Sequence, residues 1–455
     1  MSPNKLVLGM ILTLLPAVVG CGGEETPTEV QATAVHTALH DDYGSMIVVE
    51  WLQKREARSW VEYDFEGEWI RVREGVREPG YHKEQIIGIP FDTEVKVRVA
   101  NDFGDGKLTT RTHILKTKDV PSAMPRPTLD VSEPDLWDPD SNFLLSSINQ
   151  EDGGWSGGTY WKFIVDRKGR LVWVDRTPKD HWTIFMRQAV NGKDILWDEA
   201  TWWASGFDLG AGSKIHRMKL DGTMVETTKT PGLHHSFTEL PDETLVYGSA
   251  DFYSEVLVEK KPNGNETVIW DCVDFYQDIG YSSGGYGCQS NTLYYDVPTD
   301  RYLYSFYTSN SVLEITRDGE VTKILGMLPG AWAFDPPESQ FYFQHGVHYS
   351  EEGTLLVSSH QSYFDVQGVV REYEVDEANQ TLREIWNQGI DGGIYSPTAG
   401  EVHRLGNGNT VHNYGASPVV QEVTPDGTVV WQIDFGGTKL IGRSTFIDDL
   451  YDFMP

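Results

Sequence analysis

The stretch FYFQHGVHYSEEGTLLVSSHQ, residues 341–361, has the outline of a β-hairpin. Residues 350–353 are rich in turn formers, and apolar or aromatic residues flank them on both sides. Similar hairpins begin with HHSFTELPDETLVYGS at 234, SNTLYYDVPTDRYLYSF at 290 and GEVHRLGNGNTVHNYG at 400. Aligned on their turns, they place four residues at one equivalent position, with nearly equal spacings: His235, Asn291, His345 and Gly400. A period this regular indicates one repeated supersecondary unit.

A second type of hairpin recurs between the copies of the first. Each copy has apolar strands around an Asp-Gly, Asn-Gly or similar polar turn. The six copies begin at Tyr160, Lys214, Val256, Ser311, Val369 and Val419. Two hairpins per repeat give four strands, so six units between residues 130 and 455 predict a six-bladed β-propeller. Helical signals are scarce, and 45 Gly, 15 Trp and 21 Tyr favour an all-β fold class.

The region before the repeats has short alternating strands of another kind. Ile47, Val49 and Trp51 share one face, which predicts a small β-sandwich over residues 34–118 with Trp51 in its core. The run IIGIPFDTEVKVRVANDFGDGKLT, residues 86–109, resembles fibronectin type III domains. Residues 119–129 carry three prolines and no periodicity, which predicts a linker between the sandwich and the propeller of residues 130–455.

The N-terminus reads as a bacterial lipoprotein signal peptide over residues 1–20. Lys5 precedes an apolar run over residues 6–19 that is too short to span a bilayer. Val18-Val19-Gly20-Cys21 resembles a lipobox, so Cys21 is the predicted lipidation site and residues 21–33 a polar tether. The alternative is an ordinary cleaved signal peptide. The lipoprotein interpretation predicts an extracytoplasmic protein anchored to a bacterial membrane, at the outer membrane or its periplasmic face.

The net charge limits the classes of partner, and the cysteines predict a disulfide. The net charge of −31 argues against nucleic acid or anionic lipid as a partner of the whole surface. An extracytoplasmic compartment permits disulfides, and Cys272 and Cys288 are the remaining pair. We predict that they are bonded, which stabilises the fold by about 3 kcal/mol in the chain-entropy model. No CxxC motif is present, which argues against a structural zinc site.

The repeat alignment predicts a ring of side chains. The innermost strands of a propeller line its central channel, so His235, Asn291 and His345 should converge there. One hairpin further along, Tyr307 and His360 belong to a second ring. His234 and His235 are adjacent, so in a strand their side chains would leave opposite faces. The alternative to a functional role is that these residues are hydrogen-bonded pegs between blades.

Several of these segments together resemble the bacterial arylsulfotransferase family. They are HHSF-x-ELP, SNTLYYD, QHGV-x₅-G-x-LL, AGEVHRLGNGNTVHNYG and the tail IGRSTFIDDLY, spread over residues 130–455. The resemblance implies a six-bladed propeller preceded by a β-sandwich. It also implies ping-pong transfer of a sulfuryl group from an aryl sulfate to a phenol, with neither a cofactor nor a nucleotide sulfate donor (PAPS).

The resemblance assigns roles residue by residue. The His of the QH motif, His345 here, carries the sulfo group, and His235 of the HH motif supports it. Asn291 is retained, whereas Gln289 stands where the family has a His, and both would bind sulfuryl oxygens. Tyr307 stands where the family has an Arg and would face the phenol. His360 and Arg404 are the residues that we expect to compensate for the lost cation.

Two other functions fit the same residues. A propeller that kept its pocket but lost turnover, through the changes at Gln289 and Tyr307, would be a ligand-binding protein. A metal-dependent enzyme could use His235, His345 and His360 as ligands. The sequence alone does not name the donor, the acceptor or the oligomeric state.

Overall fold

The computed structural model describes residues 29–102, 106–153, 158–203, 208–251, 254–282 and 288–455. The predicted signal peptide, the lipidation site Cys21 and most of the tether lie outside these residues. Among the described residues, no helix has both the length and the apolar character that crossing a membrane requires. The fold is all-β, with one α-helix, Cys272–Asp278, and three short 3-10 turns in the described chain: Pro134–Leu136, Pro337–Ser339 and Leu450–Phe453.

The described chain divides into two compact units, and the described part of the first comprises residues 29–36, 50–84, 96–102 and 106–113. The N-terminal region forms two sheets, of three and five strands. The three-stranded sheet contains Ala32–Leu39, Ile47–Gln53 and Gly80–Ile86. The five-stranded sheet contains Glu68–Arg77, Ala57–Phe65, Glu94–Asp102, Lys107–Thr109 and His113–Lys116. Trp51 is 1% exposed, so its predicted place in a core is confirmed. The fibronectin type III resemblance stays a prediction.

The second unit comprises residues 37–49, 85–95 and 114–455, and its described part contains six sheets. Sheet I contains Thr445–Ile447, Phe143–Asn149, Tyr160–Asp166 and Leu171–Arg176. Sheet II contains Met186–Gln188, Ile195–Glu199, Lys214–Met218 and Met224–Lys229. Sheet III contains Phe237–Glu239, Leu245–Ala250, Glu255–Lys260 and Glu266–Asp271.

The remaining three sheets continue the same antiparallel order. Sheet IV contains Ser290–Asp296, Arg301–Phe306, Ser311–Thr316 and Val321–Gly326. Sheet V contains Tyr342–Tyr349, Leu355–Ser362, Asp365–Asp376, Thr381–Gln388 and the parallel strand Ala333–Asp335. Sheet VI contains Glu401–Arg404, Thr410–Asn413, Val419–Val423, Val429–Asp434 and Thr128–Ser132. The hairpins predicted from the two repeating patterns are therefore confirmed.

Strands from the two ends of the second unit complete its terminal sheets. The early strand Thr128–Ser132 pairs with Val429–Asp434 in sheet VI. The late strand Thr445–Ile447 pairs with Phe143–Asn149 in sheet I. The first strands of sheets I and II, III and IV, IV and V, and V and VI also contact each other. Four neighbouring pairs of sheets are thus in contact through their first strands.

Apolar side chains between neighbouring sheets form the core of this unit. One cluster combines sheets I and II with residues from 37–49 and 85–95, including Tyr43 and Ile87. Tyr43 stacks on Trp173 with ring centroids 5.5 Å apart, and Ser45 Oγ donates to the Val172 carbonyl at 2.7 Å. These contacts tie the segment of residues 37–49 to sheet I.

The disulfide lies at the start of the α-helix. Cys272 is bonded to Cys288 with their Cα atoms 5.9 Å apart, so the predicted pairing is confirmed. Asp271 caps the helix, because its side chain accepts hydrogen bonds from the amides of Val273 and Asp274. The bond therefore links the helix to the chain that enters sheet IV shortly afterwards, at Ser290.

Candidate functional site

His345 lies in a β-bulge near the start of the first strand of sheet V. Across the hairpin, Tyr342 pairs with His360 and Gly346 pairs with Ser358. Three residues on the first strand therefore face one residue on the second. A bulge of this kind disrupts the regular alternation of a strand and can re-aim a side chain beside an active site.

The bulge contains Phe343, whose backbone is strained, and Gln344, whose side chain is anchored by hydrogen bonds. Phe343 has φ of 49°, in the left-handed region that large side chains rarely adopt. Gln344 is fully buried, and its Nε2 donates to Ser305 Oγ, the Phe306 carbonyl and the Ser311 carbonyl at 3.0, 3.1 and 2.9 Å. These contacts tie the residue before His345 to sheet IV.

The tautomer of His345 follows from its surroundings. Its Nδ1 lies 2.8 Å from the carbonyl oxygen of Phe343. Because a carbonyl only accepts hydrogen bonds, Nδ1 carries the proton and Nε2 keeps its lone pair. Burial, the charge of Arg443 and the neighbouring His360 hold the pKa of His345 well below its usual 6.5. The ring is therefore neutral near pH 7, and its Nε2 carries a lone pair.

A cavity of about 240 Å³ brings most of the predicted site residues together. It is lined by Trp203, His235, Gln289, Ser290, Asn291, Tyr307, Thr308, His345 and Thr398. Of the seven predicted catalytic and substrate-binding residues, five lie here. Gly400 is close as well, since a Cβ built on it would lie 4.0 Å from the His345 Cβ. The aromatic and polar lining suits a small ring that carries a polar group.

His235 contacts the histidine that precedes it. The two rings are 4.5 Å apart in an edge-on arrangement, and their Nδ1 atoms share a short hydrogen bond. The prediction that His234 and His235 leave opposite faces of a strand is wrong, because the strand begins only at Phe237. Burial and the nearby His234, His345 and Arg443 hold the pKa of His235 well below its usual value.

Asn291 also lies at a bulge, since the register of sheet IV shifts between Ser290 and Thr292. Its Nδ2 donates to the Gln344 carbonyl at 2.5 Å. Its Oδ1 is buried and accepts no hydrogen bond from the described residues. Asn291 therefore contributes an acceptor that the fold leaves unused, and only one of its two amide protons is engaged in this contact.

Tyr307 lies against the predicted nucleophile. Its ring centroid is 5.0 Å from that of His345 and 5.0 Å from that of Phe343. Burial raises the pKa of Tyr307, so the phenol stays protonated and contributes a neutral donor. Gln289 lines the same cavity and adds an amide.

His360 and Arg404 do not line this cavity. The His360 ring packs against Phe343, with ring centroids 5.2 Å apart. Arg404 forms an ion pair with Glu372 and donates to the Gly408 carbonyl and Thr410 Oγ1 at 3.0 and 2.7 Å. It borders a separate cavity of about 770 Å³, so the structure does not bring the expected substitute cations to Tyr307.

The cation that the sequence reasoning missed is Arg443. It is 4% exposed, and its charge contributes to the lowered pKa of both His345 and His235. Its Nη2 donates to the Asn291 carbonyl at 2.8 Å and to Thr292 Oγ1 at 2.7 Å, and its Nη1 donates to the Gly400 carbonyl. Its Nε is buried and donates to none of the described residues.

A sequence signal for Arg443 was present in the closing segment IGRSTFIDDLY. Arg443 lies just before the strand Thr445–Ile447, at the same offset as His235 before Phe237–Glu239. It is thus the equivalent of His235 in sheet I. The alignment of four hairpins did not include this one, because its partner strand lies far earlier in the chain, at Phe143–Asn149.

The arrangement supports nucleophilic chemistry on an anionic group. A neutral imidazole with a bare Nε2, a buried guanidinium and amide and phenol donors suit attack on an electrophile whose oxygens carry negative charge. The described residues hold no group of three or more His, Cys, Asp or Glu side chains placed to bind a metal ion.

Comparisons with known proteins agree with this chemistry. Residues 261–436 match the model of the family described as arylsulfotransferase (ASST), which supports that family for the chain. The matched range includes Gln289, Asn291, Tyr307 and His345, and it ends before Arg443. No curated protein matches this sequence.

Many solved structures are similar in fold, at low identity. A protein of unknown function from Bacteroides caccae is 15% identical, with a TM-score of 0.45, covering 66% of this chain and 98% of its own. A putative 6-phosphogluconolactonase from Bacteroides fragilis is 14% identical, with a TM-score of 0.42, covering 86% and 98%. A catalytically inactive virginiamycin B lyase from Staphylococcus aureus, solved with quinupristin, is 10% identical, with a TM-score of 0.36, covering 71% and 100%.

Proposed function

We propose that this protein is an aryl-sulfate sulfotransferase that moves a sulfuryl group to a phenol without PAPS. One observation carries the proposal: the Phe343 carbonyl holds the proton of His345 on Nδ1, which leaves Nε2 as a lone-pair donor in a residue of the cavity wall. The family match over residues 261–436 supports the same activity.

The reaction has two half-reactions with His345 between them. In the first, Nε2 attacks the sulfur of the aryl sulfate, an N–S bond forms, and the S–O bond to the ring breaks with its electron pair on the departing phenolate. In the second, the oxygen of another phenol attacks the sulfohistidine. A new S–O bond forms and the N–S pair returns to Nε2.

The surrounding residues stabilise charge on the transferring group. Sulfuryl transfer, like phosphoryl transfer, proceeds through a loose transition state, so positioned donors supply most of the catalysis. Arg443 supplies positive charge beside His345, in place of the cation that Tyr307 lacks. Asn291 and Gln289 offer amide protons, and Tyr307 offers a neutral hydroxyl to the sulfuryl oxygens or the leaving phenol.

The fold proposal follows the sheet order. Six consecutive sheets support a six-bladed propeller closed on itself, since four neighbouring pairs contact through their first strands, and an early and a late strand complete sheets VI and I. The site then lies at one mouth of its channel. A fibronectin-like sandwich would precede it, and lipid on Cys21 would hold both parts outside the cytoplasm. The disulfide suits that compartment.

A chromogenic aryl sulfate tests the activity. Mixing the protein with excess 4-nitrophenyl sulfate should release a burst of nitrophenolate, and mass spectrometry should find a sulfo group on the peptide that contains His345. Adding phenol should then convert the burst into continuous turnover. The variant His345→Ala should abolish the burst and the modified peptide, because it removes the nitrogen that takes the sulfuryl group.

The matched control is His348→Ala, since His348 is a partly buried histidine on the same strand that lines the separate cavity. It should keep the burst. If the wild type forms no sulfo-His345 with a broad panel of aryl sulfates, the transferase proposal fails and a binding role replaces it. If His345→Ala retains the burst, the assigned nucleophile is wrong.

A further inference from the structure

Glu255 is a buried carboxylate that contacts His234, the hydrogen-bond partner of His235, and both of its oxygens accept hydrogen bonds. Glu255 is fully buried at the start of a strand of sheet III. Its Oε2 accepts from the Ser290 amide at 2.7 Å and lies 3.2 Å from His234 Nε2. Its Oε1 accepts from the hydroxyls of Ser290 and Tyr304. Burial raises the pKa of Glu255, but these contacts outweigh it and lower the pKa overall, so the group is a carboxylate.

This carboxylate fixes the protons of both histidines. Because Glu255 only accepts, Nε2 of His234 carries a proton. A single proton on His234, held at Nε2, makes its Nδ1 the acceptor for the Nδ1 proton of His235 across their short contact. His235 is left with its Nε2 unprotonated. Glu255, His234 and His235 thus form a line of hydrogen bonds that ends on a residue of the cavity wall.

We propose that His235 is the general base that removes the proton of the acceptor phenol, and that His234 and Glu255 are its positioning residues. This inference rests on the proposed function. As the phenol oxygen attacks the sulfur of sulfo-His345, its O–H proton moves to Nε2 of His235. The O–H electron pair becomes the new S–O bond, and the N–S pair returns to His345. His235 later releases the proton to water, and the phenolate of the first half-reaction gains one from water.

The line of hydrogen bonds gives the transferred proton a stable place. Around His235 the charged or titratable groups are His234, His345 and Arg443, and all three disfavour a proton on it. An isolated His235 would therefore be a weak base. Its Nδ1 proton can shift to His234, where the positive charge lies beside the Glu255 carboxylate. Glu255, His234 and His235 all precede residue 261, where the family match begins.

The test separates acceptors that need a base from those that do not. Sulfo-enzyme is formed with 4-nitrophenyl sulfate, and its decay is followed with phenol, which is un-ionised at neutral pH because its pKa is about 10, or with pentafluorophenol, which is ionised there. The variant His234→Asn should still form sulfo-His345. It should transfer to phenol about 100-fold more slowly, with little loss toward pentafluorophenol.

His216→Asn is the matched control, because His216 is a buried histidine paired with Glu199 at 2.9 Å in sheet II and does not line the cavity. It should leave the phenol-to-pentafluorophenol ratio unchanged. Equal losses with both acceptors in His234→Asn, or no loss, overturn the proposal. Glu255→Gln is the second variant and should show the same selective loss.

The wild type gives a test that does not depend on any variant. If only pre-formed phenolate reacted, the rate with phenol would rise about tenfold per pH unit through the neutral range. Base catalysis by His235 predicts a much flatter dependence, and a tenfold slope overturns the proposal while leaving sulfo-His345 formation intact. Absence of sulfo-His345 in the wild type overturns the transferase itself, and the base with it.

Discussion

The Nη2 atom of Arg443 donates a hydrogen bond of 2.8 Å to the carbonyl oxygen of Asn291. Arg443 lies just before the strand Thr445–Ile447 of sheet I, whereas Asn291 belongs to sheet IV. The same guanidinium also contacts Gly400, at the start of sheet VI. One buried cation therefore joins three sheets beside His345, and its position is set by backbone oxygens.

Removing this cation should slow the first half-reaction. Arg443→Met should lower the rate of sulfo-His345 formation about 100-fold, the usual cost of losing one well-placed donor to an oxyanion. The rate for Arg443→Lys should lie between those of the wild type and Arg443→Met, since lysine keeps the charge but lacks the planar guanidinium. The rate of the nitrophenolate burst measures both variants.

The effect of Arg443→Met on folding stability must be separated from its effect on the burst rate. Arg443→Met also leaves buried carbonyls unpaired, so its melting temperature should fall. Arg404→Met is the control, because Arg404 pairs with Glu372 beside the separate cavity and should not affect the burst. A folded Arg443→Met protein with a wild-type burst rate would exclude Arg443 from catalysis.

The rate of sulfo-His345 formation should not fall as the pH decreases through 6.5, the usual pKa of histidine, because burial and Arg443 hold the pKa of His345 well below that value. The nucleophile then stays neutral and reactive. Burst rates measured between about pH 5.5 and 8 would show this. A limb with an apparent pKa near 6.5 in the burst phase would contradict the placement of His345.

The lowered pKa of His345 also makes the free energy of unfolding depend on pH. Below pH 6.5 and above the lowered pKa of the folded state, the unfolded chain binds a proton on His345 that the folded chain does not. Stability is therefore fully present above about pH 6.5 and is lost as the pH falls through that range. Denaturant unfolding of the wild type and of His345→Gln should show a shallower dependence in the variant.

The hairpins could be predicted from sequence because both strands and the turn of each lie within one short segment. The regular spacing of these segments then placed His235, Asn291 and His345 together, and the cavity contains all three. Polar turns and alternating apolar residues are local signals, and each repeat supplies them again.

Two features of the site could not be predicted from the four aligned hairpins. Arg443 joins the others only because its strand pairs with Phe143–Asn149, far away in sequence. The bulge at residues 343–345 depends on the anchoring of Gln344 in sheet IV, so counting alternate positions could not predict the Nδ1 contact of His345. The alternation rule also failed at His234, which lies before the strand begins.

Tyr307 should determine how fast the transfer runs. Tyr307→Phe should slow sulfo-His345 formation by roughly 10- to 150-fold, because a hydrogen bond to a charged group contributes about 1.5–3 kcal/mol when it is fully formed. Tyr307→Arg should accelerate it, since a charged bidentate donor replaces a neutral hydroxyl next to His345. Single-turnover nitrophenolate release measures the chemical step in both.

Tyr342→Phe is the matched control for Tyr307→Phe, because Tyr342 is a neighbouring tyrosine that does not line the cavity. It should leave the burst rate unchanged. If neither substitution at Tyr307 alters the burst while His345→Ala abolishes it, Tyr307 does not contact the transferring group. The charge of Arg443 would then be sufficient for the reaction.

Gln344 should matter as much for catalysis as the adjacent His345, although Gln344 itself does not line the cavity. Its Nε2 reaches two carbonyls and a hydroxyl of sheet IV, and these contacts fix the bulge that orients His345. Gln344→Met keeps the volume but leaves those buried acceptors without a donor, at a cost of about 1–3 kcal/mol for each unsatisfied group. We expect a lower melting temperature and a loss of burst rate larger than the loss of folded protein explains.

Gln340→Met is the control for this variant, since Gln340 lies in the same segment, before the strand that begins at Tyr342. Comparing the burst amplitude with the burst rate separates the two effects. A reduced amplitude at an unchanged rate would mean that Gln344 only stabilises the fold, and the bulge would then have no part in aiming His345. A reduced rate at full amplitude would mean that the anchored bulge positions the nucleophile, because the protein is folded but Nε2 no longer reaches the sulfur in line.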